Sequence, residues 1–253
     1  MLRYEELREF TDGKRYKASD MAGLDTHGCA GCSRCCESDM GSSLVLDPRD
    51  ICCLTRATGK SFDELLTGFY IELGLTDGLI LPHMKMDGEK RGCRFLDEHK
   101  RCSIHEARPG ICRLFPLGRL YEKGGMCYIL QKDECAVQPR GPLLIRDWIG
   151  IEPLEEYEAY ILKWHRFLGL QKKRLAKASE ELQKELQKAL LRIFYLRGWQ
   201  EETFFQEISE RMREASAEFR RLTEEDSARR HEKWMEENGE TLKKIAAEAD
   251  RQE

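Results

Sequence analysis

Beyond about Glu152 the apolar positions recur at helical spacing. Leu182, Leu186, Leu190, Ile193 and Phe194 follow one face, and Gly198 stands where a C-terminal cap belongs. Phe204, Ile208, Met212, Ala215, Phe219 and Leu222 continue the pattern on a second helix. Thr223 is placed to cap a last helix carrying Trp234, Leu242 and Ile245. Opposite charges in the favourable order, Glu180–Lys184, Glu207–Arg211 and Glu225–Arg229, support these helices by about 0.2–0.5 kcal/mol each. The pattern predicts an α-helical hairpin or small bundle over 151–253.

The first half is patterned differently. Residues 1 to about 26 have no firm period and read as a lead-in arm, and 28–40 is a Gly- and Cys-rich loop. Asp47-Pro48 is an N-cap followed by proline at the first helical position, opening a helix to about Thr58 that stops at Gly59. Ser61 and Glu64 form a capping-box pattern for a second helix through about Leu73. Residues 74–92, with glycines at 74, 78, 88 and 92, read as turns. Two short strands are expected at Cys93–Leu96 and Arg101–Ile104 around a polar turn, with further turns at Arg108-Pro109-Gly110 and Pro116. The expected fold is mainly α with a small irregular, metal-stapled Cys-rich region, α+β at most. The expected division is 1–150, Cys-rich and metal-binding, and 151–253, helical.

Composition narrows the function classes. Hydrophobic residues make up 41% and charged residues 35%, with a mean hydropathy of -0.61, which describes a small core under much solvated surface. The longest apolar runs fall far short of the ~20 residues that cross a bilayer. Met1–Phe10 lacks the apolar stretch of a signal peptide, so a cytoplasmic protein with no membrane partner is expected. Net charge -4 and a pI near 6.0 give no field that favours nucleic acid.

Cysteine locates the chemistry. All 11 lie between Cys29 and Cys135. An odd count without an export signal points to metal or redox chemistry rather than disulfides. Cys29-x-x-Cys32-x-x-Cys35-Cys36 has a spacing that lets thiolates converge on one metal while the intervening amides hydrogen-bond to sulfur. Adjacent side chains in non-helical backbone diverge, so Cys35 and Cys36 serve two neighbouring centres, or one of them is a bridging or free thiol. Cys93, Cys102 and Cys112, then Cys127 and Cys135, bring the candidates to nine, more than one four-coordinate site uses. An all-sulfur set suits both zinc and iron–sulfur clusters, with 4Fe-4S the expected form of a cluster. Cys52 and Cys53, within Ile51-Cys52-Cys53-Leu54, read as core residues. Arg108 and Arg113 flank Cys112 as candidates for charge compensation at a bound cofactor, Arg113 the nearer in sequence. His27 and His83 read as hydrogen-bonding rather than ligating, His99 and His231 as solvated, and His165 as a packing residue.

The ordered motifs Cys29-x-x-Cys32-x-x-Cys35-Cys36, Cys93-Arg94-Phe95-Leu96, Cys102-Ser103-Ile104 and Arg108-Pro109-x-x-Cys112-Arg113-x-Phe115-Pro116 resemble the CxxCxxCC cysteine-cluster family, a zinc- or iron-chelating domain, over roughly 27–136. The resemblance implies ligation by Cys29, Cys32, Cys35, Cys36, Cys93, Cys102 and Cys112, with Cys127 and Cys135 where many members carry further cysteines. Arg94 stands where proline is frequent and His105 where tyrosine is frequent, which offers an imidazole as a new ligand or hydrogen-bond donor. Flagellin lysine-N-methylase, a relative of that family, is similar in its cysteine cluster and implies iron, yet no methyl-donor site is recognisable in the helical half.

Three functions compete: an iron–sulfur carrier or enzyme (oxidoreductase or methylase-like), a structural zinc module whose C-terminal helices bind a protein partner, and an iron or zinc storage or delivery protein. The iron–sulfur or mixed centre is taken ahead of zinc alone. Oligomeric state is open.

Overall fold

The structure, a computed structural model, describes residues 8–26, 32–37, 44–87, 92–135 and 137–249. It is mainly α, as the patterning predicts, with small two-stranded sheets in the cysteine-bearing half and one long C-terminal helix.

The helices α1 (Arg34–Glu37), α2 (Pro48–Thr58) and α3 (Phe62–Thr67) open the chain. Asp47 accepts from the amides of Arg49 and Asp50 at 2.8 and 2.9 Å, and Asp50 accepts from the Asp47 amide at 3.0 Å. This reciprocal cap starts α2, and Gly59 at φ 65 ends it, both where expected. Ser61 and Glu64 cap α3 in the same way. The helix closes at Gly68 and does not reach Leu73.

The segment after α3 is a hairpin, not a run of turns. Strands β2 (Ile71–Thr76) and β3 (Leu79–Met84) pair antiparallel around Asp77 and Gly78, both at positive φ (50 and 83). Asp-Gly is the two-residue pair that a type I′ hairpin turn selects, because its twist matches that of the flanking strands. On its far side β3 takes up residues 44–46: Leu46 N–H donates to Pro82 O at 2.8 Å and Met84 N–H to Leu44 O at 3.0 Å. A second hairpin, β6 (Leu117–Glu122) with β7 (Gly125–Leu130), was not apparent from the pattern. Residues 8–26 are no loose arm. Thr11 and Tyr16 bridge Gln131 and Tyr128 beside β7, and β1 (Met21–Gly23) pairs with β8 (Pro142–Leu144).

Beyond the one-turn helices α4 (Gly110–Leu114) and α5 (Ile145–Ile149) lie α6 (Leu154–Leu175), α7 (Glu180–Leu191), a π turn (Arg192–Leu196) and α8 (Phe204–Ala249). Two end signals change. The Gly198 region is closed by Arg211, which donates to Ile193 O (3.1 Å), Arg197 O (2.7 Å) and Gly198 O, and lies 3.5 Å over the Trp199 ring. Thr223 starts no helix: its hydroxyl donates back to Phe219 O at 2.6 Å, and the 46-residue α8 runs through it from Phe204 to Ala249. The Glu207–Arg211 pair forms at 3.1 Å, whereas Glu225 pairs with Arg221 and Arg229 lies by Asp226.

One apolar cluster spans both halves, from Tyr16, Leu46 and Ile71 to Ile161, Phe194 and Phe219. Fully burying a side chain such as Phe194 contributes about 1.5–3 kcal/mol. Polar stitches fix the register between the halves. Tyr195 Oη donates to Leu46 O at 3.2 Å, and Gln187 accepts from Ile80 N–H (3.1 Å) while donating to Gly78 O (2.7 Å). The core therefore clamps the cysteine-bearing segments from behind.

Candidate metal centre

Four places along the chain carry cysteines to one cavity of about 330 Å³. Cys32, Cys35 and Cys36 come from α1 and the residue pair before it, where Cys36 and Glu37 N–H close onto Ser33 O. Cys93 ends the two-residue strand β5 (Gly92–Cys93), which pairs with β4 (Met86–Asp87). Cys102 follows the polar turn, and the two strands expected there condense to a single Leu96–Cys102 bridge. Asp97 builds that turn by accepting from His99 and Arg101 N–H at 2.9 and 2.8 Å, with Lys100 at φ 58. Lys100 then pairs with Glu37 at 2.8 Å, tying the turn to α1. Cys112 lies in α4. Cys29 and His27 lie outside the described residues.

In Cys36, Cys93, Cys102 and Cys112 the neighbouring thiols oppose ionisation. Burial pushes Cys93 and Cys102 up, each countered by an amide, Phe95 or Ile104 N–H, donating to its sulfur. These are the amide–sulfur bonds expected around a thiolate centre. Burial also raises Cys112 strongly, with Asp50 and the thiols of Cys93, Cys102 and Cys35 adding to it. Cys35 and Cys36 are neighbours in the one helical turn α1, and their thiols are nonetheless in contact. Cys36 donates a hydrogen bond to Cys35, which brings Cys35 down to about 7 and drives Cys36 well above the usual thiol range. The pair is thus in contact but inequivalent.

Among the described residues no group of three or more His, Cys, Asp or Glu is already drawn to metal-ligating geometry. The donor chemistry nevertheless fits a metal. Thiols that raise each other's pKa are relieved by a cation, and among the described residues the one carboxylate lining the cavity, Glu106, stands with Lys100, Arg101 and Arg108.

Behind the thiols is a layer that sequence reasoning missed. Asp50 is buried and its Oδ1 accepts from Gly110 N–H at 2.7 Å, two residues before Cys112. A side chain at Gly110 would run into Tyr157 Oη, which itself accepts from Arg119 at 2.7 Å. Trp148 Nε1 donates to Leu114 O at 3.3 Å at the other end of α4. The Asp47-x-x-Asp50 spacing holds a capping signal for Asp50, which the sequence reading of Asp47-Pro48 did not use.

Arg108 rather than Arg113 faces the cavity. Its charge favours ionised Cys35 and Cys102, and its Nη1 donates to His105 Nε2 at 2.9 Å, which leaves the ring proton of neutral His105 on Nδ1. Arg113 turns away to donate to the carbonyls of Glu106, Arg108 (3.2 Å) and Gly150 (3.3 Å). Cys127 and Cys135 do not line the cavity. Cys127 sits in β7 opposite Leu120, with Glu122 and Arg15 as its charged neighbours. Cys52 is buried in α2 as a core residue, and half-buried Cys53 lies beside Arg49 and Arg113. His83 is buried and bonded to Thr76 Oγ1 at 3.0 Å, and His165 stacks on Tyr121 with ring centroids 3.6 Å apart.

Residues 28–136 match the family model CxxCxxCC, described as a putative zinc- or iron-chelating domain. No curated protein and no solved structure matches the chain. The helical half beyond residue 136 thus lies outside the matched segment.

Proposed function

We propose that the zinc- or iron-chelating half of this chain holds an iron–sulfur cluster, with thiolates drawn from Cys32, Cys35, Cys36, Cys93, Cys102 and Cys112 together with Cys29. The observation that carries this reading is the number of thiols that the described residues bring to one cavity: six, where tetrahedral zinc takes four. Bound there, a [4Fe–4S] cluster supplies one-electron chemistry whose potential follows its charge, its hydrogen bonds and its exposure. The chain's own residues act on those variables. Phe95 and Ile104 N–H stabilise the Cys93 and Cys102 thiolates. Arg108 places positive charge beside Cys35 and Cys102, offsetting the negative charge of a thiolate-bound centre. A redox or cluster-dependent role in the cytoplasm follows from this reading. The described cysteines are all free thiols, and no helix among the described residues is long and apolar enough to cross a membrane.

One observation favours a second reading, a structural zinc module whose long helix meets a protein partner. Trp234 and Met235 are exposed on the outer part of α8, where neighbouring residues are exposed as well. Iron, zinc and acid-labile sulfide per chain, on protein purified without oxygen, separate the two. Iron with sulfide supports the cluster. Zinc without sulfide sinks it in favour of the structural module.

A further inference from the structure

The segment 105–113, which carries Arg108 and Cys112 to the thiol cavity, also borders a second cavity. Glu106, Ala107 and Arg113 line it together with Arg49, Cys53 and Arg56 of α2. Its volume is about 400 Å³, within the range that holds small molecules. None of the six thiols of the metal centre is among the described residues that line it. A molecule bound there is therefore bound apart from the metal.

Two half-buried guanidinium groups face this space without a counter-charge. Arg113 is fixed by the carbonyls of Glu106, Arg108 and Gly150, which take three of its five N–H groups and neutralise none of its charge. Arg49 is held by its face, 5.4 Å from the Tyr157 ring centroid and 6.0 Å from that of Phe205. Among the described residues no group accepts a hydrogen bond from the Arg49 guanidinium, and no carboxylate pairs with either arginine. The carboxylates of the cavity do not answer this charge. Glu201 is taken by Arg56, and Glu106 and Glu152 are exposed, where water and salt screen them. Cys53 lies in the field of both arginines. Burial pushes its thiol up, and Arg49 and Arg113 pull it down against Asp50 and Asp47.

We propose that this cavity binds a small molecule through an oxyanion group, a carboxylate or a phosphate, gripped by Arg49 and Arg113 beside the Cys53 thiol. The planar fork of a guanidinium matches such a group with parallel N–H···O bonds. Arg113 keeps two N–H groups for it, and Arg49 keeps its whole edge. Half-burial makes these charged bonds stronger than they are at a solvated surface. The space is larger than an inorganic phosphate, so the rest of the molecule lies against Ala107 and Ile151. Binding is the same whether the metal centre holds zinc or iron.

The rate of alkylation at Cys53, followed by peptide mass spectrometry on the full chain with its metal, tests this. Inorganic phosphate and succinate are the probes, each set against sodium chloride at equal ionic strength. At least one of them slows iodoacetamide saturably at Cys53 and leaves Cys127 unaffected. Protection by phosphate alone marks a phosphoryl ligand, and by succinate alone a carboxylate one. In Arg49→Gln the half-protecting concentration rises about tenfold, as for the loss of one hydrogen bond to a charged group, with metal per chain unchanged. A second reading needs no variant. The anionic reagent iodoacetate gains on neutral iodoacetamide at Cys53 of the folded protein, relative to the urea-unfolded chain. Protection equalled by chloride, protection unchanged in folded Arg49→Gln, or a Cys53 reagent ratio no higher than in the unfolded chain overturns the proposal. Circular dichroism checks folding, and if Arg49→Gln does not fold, the reagent ratio decides.

Discussion

Replacing Asp50 with alanine tests whether the centre is held from behind. Asp50 is 5% exposed, and its two oxygens accept from Gly110 N–H at 2.7 Å and Asp47 N–H at 3.0 Å. Alanine leaves both amides without their partner, at about 1–3 kcal/mol each, so about 2–6 kcal/mol in all. Removing a buried carboxylate offsets part of this, because burial, with the charge of Asp47 adding to it, has raised the Asp50 carboxyl to about 7. Asparagine keeps one acceptor and should lose about half as much. The pH dependence carries a sign. The folded state holds the Asp50 proton to about 7 while the unfolded chain releases it near 4, so the folded state binds more protons in between. This group's contribution to stability therefore falls as pH rises through that window, and Asp50→Asn abolishes that component. Urea midpoints from pH 4 to 8, with metal per chain measured on the same samples, make the assay. The tether should show as metal lost together with stability, because Gly110 sets the start of the helix that carries Cys112. Unchanged midpoint and unchanged metal in Asp50→Ala would refute the reasoning.

Cys32→Ser and Cys102→Ser should lower bound metal, while Cys52→Ser, a hydroxyl placed in the core, should cost about 1–3 kcal/mol of stability and leave metal per chain unchanged. Loss of metal from Cys52→Ser alone contradicts the assignment. Cys127→Ser and Cys135→Ser should keep full metal content, since neither thiol lines the cavity; a drop of one equivalent would reveal a second centre. Arg211→Ala strips the donor from three carbonyls around the π turn and should lower stability by about 2–4 kcal/mol, read by thermal denaturation, without changing metal content.

Much of this was legible where a local rule decides the outcome. The reciprocal Asp47–Asp50 cap, Gly59 and the Ser61–Glu64 box act within a few residues, and both helix starts came out as expected. The hairpin β2–β3 was missed although Asp77-Gly78 is a strong turn signal, because four glycines between 74 and 92 masked the strand pattern. Arg113 drew attention by adjacency to Cys112. Chain direction in a five-residue helix puts it on the far side, and Arg108, four residues from the cysteine, reaches the cavity. The break expected at Thr223 failed for a different reason. Threonine caps a helix only where the preceding chain leaves helical geometry, and nothing before Thr223 does. Asp50 and its hold on Gly110 depend on residues sixty positions apart, which no local rule joins.

The π turn at Arg192–Leu196 has a consequence for how this helix tolerates insertion and deletion. Ile193, Phe194 and Tyr195 are all buried in succession, which a regular α-helix with about 100° between neighbours does not allow on a single face. One residue more than the α repeat has been taken up locally, and α7 before it keeps its phase. Shortening this stretch by one codon would return it to α geometry and swing Tyr195 away from the Leu46 carbonyl. Homologous chains that differ by a single residue in length should carry the gap here, where the helix already has slack to absorb it.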